Sequence, residues 1–315
     1  MKLTSYIFAG AMLASTAQAD QYAIGTLPQG SGGYVIAAAI ASTASDHTKN
    51  DLIAVATGGS NLVLPQVNSG EMDFATSNMI EAAYATNGTG NFEGMPLPNI
   101  RVAAVLPRYQ VGFLVRQDSD IQSATDLVGR RLPTQYSAMK MIELMQDATL
   151  AAEGLDTSAF EPSSVPNFAK AVELLTSGRV DAAFAAATSA QVREADAAVG
   201  IRFLGIQPTE GGEAKMQEIA PGSYLATMEP GPGLIGVEKP LTMFSYEYTL
   251  LVGTHVPDDV VHDVVKALYE NQVQLAESSP HFKGWNPQNI FRPMEAAAYH
   301  TGALAFFKDA GLLKD

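Results

Sequence analysis

The stretch LIAVATGGSNLVLPQVNSGEMDFATSN, residues 52–78, decides how the chain is read. It opens on an apolar run (52–57) suited to a buried strand. It turns through Thr57-Gly58-Gly59-Ser60-Asn61 and continues as a short helix over 61–68. Gly70 follows, a residue that accepts the left-handed backbone geometry that stops a helix, and Asp73 opens a second short apolar run at 73–77. Strand, crossover helix and strand in this order form the βαβ unit of a parallel sheet.

The pattern extends in both directions. Upstream lie a strand at 22–26, the loop Pro28-Gln29-Gly30-Ser31-Gly32-Gly33-Tyr34 and a helix over 33–45. Downstream, a helix at 78–85 leads to strands at 102–106 and 111–115. A second series has strands at 131–133, 182–186 and 202–206, and helices at 137–152, 168–177 and 189–198. The two series share a short echo: Asn68-Ser69-Gly70-Glu71-Met72-Asp73 and Thr176-Ser177-Gly178-Arg179-Val180-Asp181 each set a Gly after an apolar helix and an Asp before a strand. Two ordinary helix-to-strand turns would look the same. Beyond residue 210, Pro221, Pro230, Pro232 and Pro240 with Gly222, Gly231, Gly233 and Gly236 read as too rich in breakers for regular structure. A strand at 248–252 and a helix from Pro257 to Ala276 follow, with Asp258 and Asp259 in the helix's first turn. The expected division is a signal segment at 1–19, a first α/β lobe at 20–107, a second at 108–222, and a return to the first at 223–315.

Composition narrows the function. The 315 residues carry 19 Lys and Arg against 33 Asp and Glu, a net charge of −14, which repels phosphate backbones and argues against nucleic acid as a partner. Hydrophobic residues make up 47 % and mean hydropathy is +0.05, values of a packed globular chain. With no cysteine there is no disulfide, thiolate metal site or cysteine nucleophile. Lys2, an apolar run at 6–14 and Ala17-Gln18-Ala19 before Asp20 form the pattern of a cleaved secretory signal. Export to a bacterial periplasm, free of a lipid anchor, is the expected localisation.

Catalytic signatures are missing. His47, His255, His262, His281 and His300 form no HExxH pair, and no Ser sits in a G-x-S-x-G elbow. Gly231-Pro232-Gly233-Leu234-Ile235-Gly236 matches G-x-G-x-x-G in letters only, because a proline lies inside it and no helix follows. No enzyme activity, cofactor or metal is expected.

The polar residues gather instead in loops after strands. Gly32, Gly33 and Tyr34 follow the first strand, Gly59, Ser60 and Asn61 the second, and Ser77 and Asn78 the third. Thr134, Gln135, Tyr136 and Ser137, and then Thr188, hold the matching places in the second series. Such loops present backbone N–H groups at positive helix ends, and in an open α/β sheet ligands bind at the carboxyl ends of strands. Helix capping alone would use the same residue types. As a shared site they favour a small carboxylate, with Arg108 and Arg116 as possible charge partners and Tyr34, Tyr136 and Tyr224 as pocket walls or core residues.

Read in order, Gly32-Gly33-Tyr34, Thr57-Gly58-Gly59-Ser60-Asn61, Ser69-Gly70-Glu71-Met72-Asp73-Phe74, the aliphatic run 102–106, Gly178-Arg179-Val180-Asp181-Ala182-Ala183-Phe184 and Tyr299-His300-Thr301-Gly302-Ala303 resemble the TAXI family. These are solute receptors of TRAP (tripartite ATP-independent) transporters. The resemblance implies a type II periplasmic-binding-protein fold, with two α/β lobes closing on a glutamate-like amino acid or a 2-oxoglutarate-like organic acid. It also implies delivery to the small and large membrane subunits of an ion-gradient-driven permease, and we expect a monomer. Two places depart from the family pattern: Pro133-Thr134-Gln135-Tyr136-Ser137-Ala138 replaces a Gly/Ser-rich turn, and His300-Thr301-Gly302-Ala303 replaces His-Pro-Gly-Ala, a stretch read as structural. An exported sensor signalling through a membrane kinase would share every one of these features.

Overall fold

A computed structural model describes residues 20–29, 31–137, 139–231, 233–293 and 297–313. The signal segment expected at 1–19 and Gly30 of the first loop lie outside the described residues. The first series folds as β1 (Gln21–Thr26), α1 (Gly32–His47), β2 (Asp51–Ala56), α2 (Ser60–Ser69), β3 (Phe74–Asn78) and α3 (Met79–Asn87). β4 (Ile100–Arg116) leads into β5 (Arg131–Tyr136), α4 (Lys140–Ala152), β6 (Glu161–Val165), α5 (Phe168–Thr176), β7 (Ala183–Ala186), α6 (Ala190–Val199) and β8 (Ile201–Phe203). Then come α7 (Gly212–Ile219), β9 (Tyr224–Met228), β10 (Leu241–Gly253), α8 (Asp258–Glu270), α9 (Gln272–Ser278) and α10 (Thr301–Asp309).

The main sheet runs β2-β1-β3-β10-β4-β7, with β8 also paired to β4 and β9 to β10. β1 is parallel to β2 and β3, as the βαβ reading requires, while β10 is antiparallel to both β3 and β4. The parallel β5–β6 pair adjoins β7 through the Asp181 N–H, which donates to the Arg131 carbonyl at 2.9 Å. Each series therefore presents the same order, outer strand, inner strand and third strand, against one of two long antiparallel strands.

The echo noted in the sequence has one physical role in both places. Gly70 and Gly178 take φ of 84° and 70°, the left-handed region that ends each helix. Asp73 Oδ2 then accepts the Ala23 N–H at 2.8 Å, and Asp181 Oδ2 accepts the Arg131 N–H at 2.8 Å. Each carboxylate ties the start of the third strand to the inner strand. Arg131 also grips Asp181 through its guanidinium at 2.6 and 3.1 Å, and this bonding holds the Asp181 carboxyl below the usual range.

Several expectations need correction. Residues 102–106 and 111–115 are not two strands but parts of the 17-residue β4. Pro107 is tolerated because the ladder slips there: Val105 pairs with Thr249 and Arg108 with Glu247, so the residue that lacks an N–H falls in a bulge. The segment after 210 holds α7 and β9, which its breaker content concealed, and β6 was not anticipated. The helix expected to run to Ala276 breaks at Asn271 into α8 and α9. Thr134, Gln135 and Tyr136 belong to β5 rather than to a loop, because β6 supplies a parallel partner.

The core fills both faces of the sheet. Ile24, Ile36, Ile40, Phe74 and Leu250 are fully buried at the first series, and Leu114, Leu175, Val192 and Met243 at the second. Among the described residues no helix is long and apolar enough to cross a membrane.

Two predictions follow from local chemistry. Asp181→Ala removes the acceptor for the Arg131 N–H and should cost about 1–3 kcal/mol in urea unfolding, and Asp73→Ala a similar amount. On α4, burial and the Glu143 charge one turn away push Asp147 up to about 6, and its Oδ1 has no hydrogen-bond partner among the described residues. The folded state thus binds this proton more tightly than the unfolded chain, so stability falls as pH rises from about 4 through 6. Asp147→Asn should raise stability by about 1 kcal/mol at pH 8, a figure discounted for partial exposure, and by less at pH 4.5 in paired thermal melts.

Candidate functional site

The carboxyl ends of β1, β2 and β3 meet where α1, α2 and α3 begin, and there the sequence packs hydroxyls and amides. Ser31 caps α1 by accepting the Tyr34 N–H. Gly59 at the start of α2 has φ 126°, a conformation closed to residues with a Cβ, and no side chain caps that helix. Asn78 caps α3 by accepting the Glu81 N–H at 2.9 Å.

At the centre is a residue that sequence reasoning missed. Glu81 Oε2 accepts from Ser60 Oγ at 2.7 Å, Ser77 Oγ at 3.0 Å and Asn78 Nδ2 at 2.7 Å. Ser60, Ser77 and Asn78 are buried, whereas Glu81 keeps part of its surface open. Burial pushes the Glu81 carboxyl above its ordinary range, and the three hydrogen bonds pull in the opposite direction. The spacing Asn78-x-x-Glu81 reads as a helix capping box, in which the glutamate would reach back to the Asn78 backbone. Its carboxylate goes instead to side chains on two elements, Ser60 of α2 and Ser77 and Asn78 of β3, which helix spacing alone does not reveal.

Beside this cluster the crossing strands supply an aromatic wall. Tyr109 of β4 stacks on Tyr246 of β10 and on His281, with ring centroids 5.8 and 5.5 Å apart, and lies 5.4 Å from Tyr248. Tyr109 Oη and His281 Nδ1 share a hydrogen bond of 3.0 Å, and burial lowers the His281 pKa, which favours the neutral ring. Burial raises the phenol pKa of all three tyrosines, so they stay protonated. This packing explains Gly32 and Gly33: a Cβ at Gly32 would lie 3.0 Å from both His281 Nε2 and Tyr109 Oη, and one at Gly33 would lie 2.7 Å from Tyr248 Oη.

The remaining expected site residues are placed differently. Asn61 is exposed on the first turn of α2, and the Tyr34 hydroxyl meets Gln29 Nε2 at 3.4 Å. In the second series Thr134 is buried within β5, Gln135 Oε1 accepts from Ser164 Oγ at 2.5 Å, and Ser137 and Thr188 are exposed. Tyr136 is a core residue of the second series, fully buried, not a pocket wall. Among the described residues no hydrogen bond joins the expected site residues of the two series. Arg116 is held by Asp118 and by the Thr176 carbonyl. Strand alternation sends Arg108 away from Tyr109, into a cavity of about 540 Å³ that is also lined by Tyr224, Glu247, Trp285 and Arg292. His300 caps α10 through the Gly302 N–H, and a Cβ at Gly302 would press on the Asp258 carbonyl, so this stretch is structural. Among the described residues no group of His, Asp or Glu is arranged to hold a metal ion.

A mixed α/β sheet with polar strand ends facing two long antiparallel strands is the fold of periplasmic solute-binding proteins. The chain belongs to the NMT1-like family, which matches residues 24–311. A TctC solute-binding protein from Polaromonas aligns at a TM-score of 0.55 with 14 % identity over 84 % of this chain and 88 % of that one. A putative sulfonate-binding protein, SsuA, from Methylobacillus flagellatus gives 0.53 with 15 % identity over 93 % and 88 %. A Prochlorococcus marinus protein, PhnD1, in complex with methylphosphonate gives 0.54 with 10 % identity over 93 % and 99 %. At these identities the likeness establishes the fold.

Gly59→Ala tests the local geometry. The added Cβ meets no atom within 4 Å, so any loss comes from the backbone, and we expect about 1–3 kcal/mol of destabilisation by chemical denaturation.

Proposed function

We propose that this chain is a periplasmic solute receptor for a membrane transporter and that its solute is a small carboxylate bound where β1, β2 and β3 end. The polar cluster on Glu81 beside the Tyr109, Tyr246 and Tyr248 wall carries the reading, because it is a built polar site at the place where this fold binds ligands. The uncapped first turn of α2, at Ser60 and Asn61, offers backbone N–H groups and a positive helix end to a carboxylate. The ligands named for two of the structural neighbours, a sulfonate and methylphosphonate, are likewise small anions.

In this reading residues 20–107 and 223–315 form one lobe and 108–222 the other, with β4 and β10 as the connection. The ladder slips at Glu247–Thr249 and again at Leu250–Leu251, and these irregularities let the pair bend. A solute that touches both lobes favours the closed form, with Gln135, Ser137 and Thr188 brought over it. The TAXI resemblance makes a TRAP permease the partner and an amino acid or oxo acid the cargo.

The test is a thermal-shift screen of refolded protein against amino acids, 2-oxo acids and dicarboxylates, followed by small-angle scattering. A solute at 100 times its Kd adds about 2.7 kcal/mol and should raise Tm by several degrees while shrinking the radius of gyration. A hit without compaction would refute the closure. An empty screen, with nothing carried by the unstripped protein in native mass spectrometry, would refute the receptor reading.

A further inference from the structure

Glu81 has a donor-filled side and an empty side. Oε2 accepts all three hydrogen bonds, and Asn78 Nδ2 can only donate, so that oxygen carries no proton, and in the ionised carboxylate the charge is shared with Oε1. Oε1 accepts no hydrogen bond among the described residues, yet it is not sealed from solvent. Glu81 forms no ion pair with any described Lys, Arg or His, unlike Glu247, which Arg292 meets at 2.5 Å. A half-buried carboxylate without a cation is costly, and three neutral donors do not cancel its charge. Tyr248 faces Asn78 across the β3–β10 ladder and Tyr246 follows on the same face of β10; the Tyr248 hydroxyl is bonded to Thr76, whereas that of Tyr246 has no hydrogen-bond partner among the described residues and is not sealed. The open Oε1 side of Glu81 is therefore a polar corner, at the strand end that also carries these two phenols, with an anionic acceptor and no positive charge among the described residues.

A simple dicarboxylate or oxo acid would bring a second negative group, or only an acceptor, to that corner. A protonated amine supplies what it lacks, a positive charge and several N–H donors. Resting on the receptor reading above, we propose that Glu81 is the specificity-determining residue of the site and that the solute seats a protonated amino group on Glu81 Oε1, with Tyr246 and Tyr248 beside it. The carboxylate of the same solute is left to the open start of α2. The cargo class is then an amino acid rather than its oxo-acid counterpart.

The experiment compares matched pairs by calorimetry on the purified, ligand-stripped protein: L-glutamate with 2-oxoglutarate, L-alanine with pyruvate, L-leucine with 4-methyl-2-oxopentanoate, and L-phenylalanine with phenylpyruvate. We expect an amino acid to bind at least 100-fold more tightly than its oxo partner. Glu81→Gln should lose about 100-fold for the amino acid while narrowing the gap to the oxo acid, and Glu81→Asp should recover part of the loss. Circular dichroism and a ligand-free melt confirm that each variant is folded, and a purely structural Glu81 would not change the ratio within a pair. An oxo acid bound as tightly as its amino acid, an unchanged ratio in folded Glu81→Gln, or a co-purified solute without an amine would each overturn this proposal while leaving the receptor reading intact. If no pair binds and no solute co-purifies, both fall.

Discussion

The antiparallel pairing of β4 with β10 is the constraint on which the rest depends. β10 pairs with β3 at one end and β9 at the other, while β4 carries β7 and β8 on its second half, beside β9. The first βα series therefore docks on one half of the ribbon and the second series on the other. Where the two halves meet, Pro107 removes a ladder donor and the register slips. The aromatic wall of Tyr109, Tyr246 and Tyr248 stands at this same place, and Tyr248 pairs with Asn78, so an irregular stretch of the ladder borders the polar cluster.

Around that wall the charges are unevenly matched. On one side Glu247 is paired, its Oε1 meeting Arg292 at 2.5 Å and accepting the Tyr224 hydroxyl at 2.6 Å, with the guanidinium also lying 4.3 Å from the Tyr224 ring centre. On the other side Glu81 receives only neutral donors. A paired carboxylate serves the architecture; one kept without a cation at the strand ends is a cost that the fold carries and a ligand can relieve. The hydroxyls and amide first read as hands for a solute carboxylate turn out to hold Glu81, which is why the proposed site turns from anion recognition alone toward a pairing of opposite charges.

Much of this was legible in the sequence because it rests on local rules. Strand, loop and helix follow one another with the apolar period of each element, and Gly70, Gly178, Ser31 and Asn78 mark boundaries by backbone chemistry that needs no tertiary context. Even the Gly-to-Asp echo was visible. Its meaning was not, because Ala23 and Asp73 are 50 residues apart, as are Arg131 and Asp181. α7, β9 and β6 were missed because their order comes from neighbours such as α4 and β10 rather than from their own composition.

By itself the sequence determined the α/β class, the two series, the strand-end positions of Ser60, Ser77 and Asn78, and the acidity of the chain, since periodicity, turn residues and charge are properties of short windows. Only the tertiary structure decided that β4 is a single strand through Pro107, that Gly32 and Gly33 make room for Tyr109 and Tyr248, that Tyr136 is core, and that three donors converge on Glu81. The physical reason is the same in each case. A ladder partner, a close approach or a converging hydrogen bond is a relation between distant segments, and its energy exists only once the sheet has brought them within reach.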